Sequence, residues 1–215
     1  MFVKALYDEV RLYINQGQSQ YYSPDEVMTA FNRAQTDKYR EEYIAFESTQ
    51  RITDALRNFK KTVEQDVNVD GFFNLPIDYY NITAISSLVA VPDTTPVQYE
   101  EYEGKVFTDG EWLLAAQSEL LPPEEKNIKA RIINGKIDVL PKSVNKINIY
   151  YLKEPATAVY AYDLINDKIT FNEGRSVDTE FPKTEHTDLI LRTLKYLGIS
   201  MKDEVSIQAE KIVNG

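Results

Sequence analysis

Residues 130–140 read Ala130-Arg131-Ile132-Ile133-Asn134-Gly135-Lys136-Ile137-Asp138-Val139-Leu140, and Pro141 follows. Two short runs rich in β-branched residues flank Asn134-Gly135. Asn and Gly accept the positive backbone angles of a two-residue hairpin turn, so the stretch predicts an antiparallel β-hairpin. Working outward, 146–152 (Lys146-Ile147-Asn148-Ile149-Tyr150-Tyr151-Leu152) alternates apolar with polar and stops before Pro155. It predicts a third strand, and 168–171 a weaker fourth. Upstream, 82–91 is rich in Ile, Val, Thr and Ser, ends at Pro92 and reads as a strand. Val97, Tyr99 and 105–108 suggest further extended chain, whereas 111–120 predicts one short helix stopped by Pro122-Pro123. The change of character falls at Gly71. Residues 71–175 are therefore expected to form a small, mainly antiparallel β subdomain.

Helical patterns stand on both sides of it. Val3, Leu6, Tyr7, Val10, Tyr13 and Ile14 recur at helical spacing, ending before Gly17. Ser23-Pro24-Asp25-Glu26 then carries a complete helix start. Ser23 can accept from a free N–H of the first turn, Pro24 has no N–H to leave unpaired, and Glu26 can reach back to the cap. Apolar positions continue through Val27, Phe31, Ala34, Tyr39, Tyr43, Ile52 and Phe59. Residues 24–60 are read as one long helix, or two joined near Glu47-Ser48-Thr49. At the other end, His186, Leu189, Ile190, Thr193, Leu194 and Leu197 share a helix face. Gly198 and Ile199 follow as a Schellman cap would require. A last short helix is expected from Asp203 to Val213. The fold expected is α+β: N-terminal helices (1–70) and C-terminal helices (176–215) packed as one bundle, with the β subdomain inserted.

Composition narrows the function. The 215 residues include no cysteine and one histidine, His186. Thiolate chemistry and disulfides are excluded, and His186 has only Glu185 and Asp188 nearby in sequence to support catalysis. No apolar run reaches the length of a membrane helix. The N-terminus lacks the layout of a secretory signal, so the expectation is a chain made in a cytoplasm. With eight glycines the chain shows neither a phosphate-cradling loop nor a dinucleotide fingerprint. The net charge of −10 opposes binding to DNA phosphates.

Fifteen tyrosines suit protein–protein contact, or simply half-buried packing. Residues 93–125 hold nine Asp or Glu and one Lys, and 126–153 hold seven Lys or Arg. Either these are two solvated faces, or like copies meet head to tail, acidic patch against basic patch. Paired carboxylates could also serve hydrolysis, but Glu100, Glu101 and Glu103 lie in a polar context. The spaced loop of a calcium site is missing.

Several segments together resemble the ring and adaptor proteins of the head–tail connector in short-tailed bacteriophages, the crAss-like phages above all. They are Asp8-Glu9-Val10 through Gly17, Tyr21-Tyr22-Ser23-Pro24-Asp25-Glu26, Phe31-Asn32-Arg33-Ala34-Gln35, Phe181-Pro182, His186, Asp188-Leu189-Ile190 and Leu197-Gly198-Ile199. Each segment is unspecific; their order carries the likeness. The resemblance implies packed helices with an inserted β subdomain. It further implies a dodecameric ring on the portal or a neighbouring ring or tail protein, with double-stranded DNA passing through its centre. It implies a virion structural protein, assembled in the host cytoplasm, with no catalytic, cofactor or metal residues. Two alternatives are a virion-associated carboxylate-dependent hydrolase and a host-facing tail binding module.

Overall fold

The computed structural model describes residues 2–16, 22–45, 56–68, 70–166 and 168–199. The chain forms two compact units, one of Met1–Asn58 with Pro155–Gly215, the other of Phe59–Glu154.

The second unit is a nearly closed seven-stranded sheet. Its strands are β1 (Lys60–Asp66), β2 (Phe73–Asn74), β3 (Tyr79–Ala90), β4 (Tyr99–Val106), β5 (Lys129–Ile133), β6 (Lys136–Leu140) and β7 (Lys146–Lys153). They lie in the order β1-β7-β3-β4-β5-β6-β2. All neighbouring pairs are antiparallel except β4–β5, which run parallel. The hairpin forms as the sequence predicts. Asn134 and Gly135 both take positive φ (51° and 71°), and Ile133 faces Lys136 across the turn. The core gathers inward-facing residues from most strands, among them Phe73, Ile85, Ala130, Ile137, Ile147 and Ile149.

A short helix, here called α3 (Asp109–Ala116), bridges from β4 toward β5.

In the first unit, α1 (Phe2–Gln16), α2 (Pro24–Ile44) and α4 (His186–Tyr196) pack together with a separate hairpin, β8 (Tyr162–Ile165) and β9 (Lys168–Phe171). α2 starts at the capping box read from the sequence: Glu26 N–H donates to Ser23 Oγ (3.3 Å), and Ser23 N–H to the Glu26 carboxylate (2.8 Å). α4 ends in the Schellman cap: Ile199 N–H bonds Leu194 O (3.0 Å), Gly198 N–H bonds Lys195 O (3.1 Å), and Gly198 has φ 74°. α1 is closed from far along the chain, where the Asp178 carboxylate accepts from Phe2 and Val3 N–H (2.9 and 2.8 Å).

The expected fold class is corrected by this architecture. The chain is a mixed α/β protein with a large, nearly closed sheet, not a helical bundle carrying a small β insert. Two misread segments account for the difference. Strands begin at Lys60, inside the stretch expected to be helical, because β1 pairs along its whole length with β7. Its sequence, Lys60-Lys61-Thr62-Val63-Glu64-Gln65-Asp66, is polar throughout except Val63, so periodicity carries almost no strand signal. Likewise β4 runs through three glutamates yet holds a central place in the sheet. The joint at 47–49 and the helix at 203–213 lie outside the described residues.

Candidate functional site

The two oppositely charged stretches fold against each other within one unit. Arg131 bonds Asp138 (2.9 Å) and stacks on Trp112, 4.6 Å from the ring centroid. Lys142 pairs with Asp138, Lys136 with Asp70, and Lys146 with Glu64 (2.6 Å). Lys126 sits 4.7 Å over the Tyr102 ring. Lys129 is only 4% exposed and donates to the carbonyls of Ala115 and Leu121. Lys126, Lys129, Arg131, Lys136, Lys142 and Lys146 thus serve contacts inside the unit. Lys142 and Lys136 stay about half exposed all the same.

The buried Lys129 has a second effect. An ammonium out of water must be satisfied by good acceptors. Lys129 finds them at the last turn of α3 and at the turn that follows, and so holds the two together. Glu111 accepts from the N–H and hydroxyl of Thr108 (3.3 and 2.9 Å), which fixes the start of the helix and holds the Glu111 carboxyl below its usual range. Trp112 and Ala115 point inward. Outward point Leu113 (67% exposed) and Leu114 (79%), and from the turn Leu120 (94%) and Leu121 (66%). Four exposed leucines thus lie on α3 and the turn that follows it.

The outer face of the sheet is acidic and rich in tyrosine. Glu101 accepts from Asn148 Nδ2 (3.0 Å), Ser86 Oγ and the Tyr150 hydroxyl (2.5 Å). Those hydrogen bonds, that of Asn148 foremost, hold its carboxyl below the usual glutamate range.

In the first unit a charge cluster joins α2 to α4. Lys38, buried at the fourth step of the stripe Val27, Phe31, Ala34, reaches Glu42 (3.0 Å), Glu185 (2.8 Å) and Asp188 (2.8 Å). Burial lowers the Lys38 pKa, but hydrogen bonds to Asp188, Glu185 and Glu42 outweigh it and the net shift is upward. Arg192 bridges Asp188 (2.9 Å) and Glu41 (2.8 Å). Burial raises Glu42 above its usual value, and its second oxygen is buried with no hydrogen-bond partner.

His186 stacks on Phe2 with 3.5 Å between ring centroids, and its Nε2 lies 3.3 Å from Phe181 O. Burial lowers its pKa. It begins α4, and Asp178, which bonds the N–H of the stacked Phe2, is near enough to favour its charged form. A cleft of about 590 Å³ lies between the start of α2 and the end of α4. Tyr22 donates to Leu197 O there (2.7 Å), and the Arg33 guanidinium stands 4.9 Å over the Tyr196 ring.

Among the described residues no three His, Asp or Glu side chains are placed to hold a metal ion. None of the described helices is long and apolar enough to cross a membrane. Neither the Lys129 clamp nor the Lys38 cluster is read from the sequence. The signal for Lys38 was present: a lysine on the apolar stripe of α2 requires a carboxylate opposite. No protein-family model matches the chain, and no curated protein matches it.

Proposed function

We propose that the chain is a structural subunit of the head–tail connector of a tailed bacteriophage, which forms a dodecameric ring with itself and seats on the portal or a neighbouring ring or tail protein. It acts in the virion by assembly and not by catalysis, and double-stranded DNA passes through the ring. The observation that carries this reading joins sequence and fold: the segments that bear the resemblance, from the two ends of the chain, fold against each other in one unit. Tyr22 donates to Leu197 O, and α2, which carries 24–26 and 31–35, packs on α4, which carries His186 and 188–190.

Charge supports the DNA path. The net charge is −10, and the basic residues of 126–153 are turned to internal carboxylates, carbonyls and rings. A wall that offers phosphates few cations lets a duplex slide.

The test is particle imaging of the purified protein and of virions. Closed rings, and density for this chain on the portal–tail axis, are the expected results. A virion in which the chain lies off that axis would sink the assignment. Purified protein should also leave duplex DNA unshifted in a gel at physiological salt, and tight binding would overturn the sliding-wall argument.

A further inference from the structure

We infer that the outer edge of β1 is a contact with a second copy of this chain, whose own β1 pairs with it antiparallel about a two-fold axis at Val63. The contact goes beyond the ring reading and does not rest on it, since a two-fold contact joins two chains or, equally, two rings.

The edge presents its polar backbone. β1 ends the strand order of the sheet, and as a strand it pairs with β7 on one side alone. Its ladder continues one pair further, where Val67 N–H donates to Asn145 O (2.8 Å). Hydrogen-bonded pairs recur at every second residue of an antiparallel ladder. Gln65, Val63 and Lys61 therefore turn their N–H and C=O to β7, and Thr62, Glu64 and Asp66 turn theirs to the outer edge. Such an edge is a template for a further strand unless something blocks it.

Charge along the strand selects the occupant. β1 runs from Lys60 and Lys61 to Glu64 and Asp66, so its charges balance while the chain carries −10. Lysines on an edge commonly block pairing, but here they do so only in registers that bring like charges together. In the antiparallel register centred on Val63, Lys60 falls opposite the partner's Asp66, Lys61 opposite the partner's Gln65, and Thr62 opposite the partner's Glu64. The outward-facing N–H and C=O of Thr62 then meet those of the partner's Glu64. A shift of one residue sets them against groups that face β7. A shift of two either brings Glu64 against the partner's Glu64 or leaves Asp66 beyond the partner's strand. Glu64 keeps its bond to Lys146 (2.6 Å) on the exposed face, so it brings no unbalanced charge to Thr62. On the other face Val63, half-buried at the margin of the core, meets the partner's Val63 and is covered by it. Exposed ion pairs add little affinity and mainly set register; the backbone bonds and Val63 hold the contact.

The experiment uses the full chain, sized by sedimentation, with circular dichroism to check each fold. The chain has no cysteine, so Val63→Cys places a single thiol at the axis. Opposed residues of a pair that is not hydrogen-bonded stand about 4.5 Å apart at Cα, within reach of a disulfide. Mild oxidation should link two chains there. Thr62→Cys, which faces the partner's Glu64, should link about tenfold more slowly. Thr62→Pro removes an N–H that β7 does not use, so the strand tolerates it. It should halve the particle mass and weaken self-association by about 10-fold or more. Thr62→Glu, against the partner's Glu64, should weaken the contact by about threefold or more and Thr62→Lys should tighten it as much. The same two changes at Thr83, exposed on β3, should alter it little.

A particle mass that Thr62→Pro leaves unchanged, equal effects of Thr62→Glu and Thr62→Lys, or linking no faster at 63 than at 62 would each overturn the edge contact. Wild-type protein that stays as single chains or single rings at high concentration would overturn it too, and leave the edge to a strand of a different protein. Single rings from Thr62→Pro would leave the ring reading standing, whereas a virion with this chain off the portal–tail axis would sink that reading and not this contact.

Discussion

Gly104 of β4 and Ile128, just before β5, share a space that has no room for a further methyl group. A Cβ on Gly104 would press into Ile128 Cγ1 and Cδ1, well inside van der Waals contact, and would stand 3.2 Å from Ile85 Cγ2. Ile85 faces Gly104 across the β3–β4 pair, and both isoleucines are fully buried. The glycine is there for close approach, since its backbone is ordinary strand.

Gly104→Ala should therefore destabilise the sheet unit by about 1–3 kcal/mol, the usual range for overpacking. Adding Ile128→Val should recover part of the loss, because it shortens the side chain that is struck. Urea unfolding followed by Trp112 fluorescence reads both. An unchanged midpoint for the single variant would show that Ile128 moves aside freely.

Ser23→Ala should weaken α2 by about 0.5–2 kcal/mol. Ser23 takes the Glu26 N–H and also helps to hold the Glu26 carboxyl below its ordinary range. A depressed carboxyl adds stability above its unfolded pKa, and that stability is lost as pH falls through the folded value. The gap between Ser23→Ala and wild type should therefore narrow on acidification. Thermal melts across an acid series check the sign.

Lys38 and Glu42 should respond in opposite ways to neutralisation. Lys38→Met leaves Glu42, Glu185 and Asp188 facing one another without their shared cation, a loss of about 3–5 kcal/mol for a buried pair broken on one side. Glu42→Gln removes a charge that burial disfavours, and its amide oxygen can still accept from Lys38. Since the folded-state pKa of Glu42 is raised, acidification through that value favours the fold. Glu42→Gln should therefore stabilise at neutral pH, and its advantage should vanish as wild-type Glu42 becomes protonated. An advantage that persists below the ordinary glutamate range would contradict this account.

Self-association should tighten as salt rises from about 50 mM to about 500 mM, because the Debye length shortens and like-charged copies repel less. Contacts made by acidic patches against basic ones would weaken over the same range. Sedimentation in the two buffers separates the cases. The internal engagement of Lys129, Arg131, Lys136, Lys142 and Lys146 is the reason to expect tightening.

What the sequence displayed was local. The capping box at Ser23 and Glu26, the turn at Asn134-Gly135, the alternation of β7 and the cap at Gly198 each depend on residues a few positions apart, and each is found. What it concealed depends on distant partners. β1 is a strand because β7 pairs with it, not because Lys60–Asp66 alternates in hydrophobicity. The true extent of the sheet, and with it the fold class, was lost there. The charge switch at Pro122-Pro123 was plain in sequence, but not that Lys129 turns inward to two carbonyls. The exposed leucines were hidden in the same way: Leu113 and Leu120 pass for core residues until Trp112 and Ala115 are seen to occupy the inner face.

The Asp178 carboxylate that closes the first turn of α1 sets an order of events at the ribosome. The sheet unit is continuous, from Phe59 to Glu154, and every strand it needs is synthesised before Pro155. α1 and α2 are made first but must wait, since Asp178, Glu185 and Asp188 are synthesised more than a hundred residues later. The unit made in the middle folds first, and the oldest part of the nascent chain remains open to chaperones and proteases longest. Chains stalled near residue 190, with the C-terminal segment still in the exit tunnel, should yield a protease-resistant fragment spanning 59–154 and a cleavable α2.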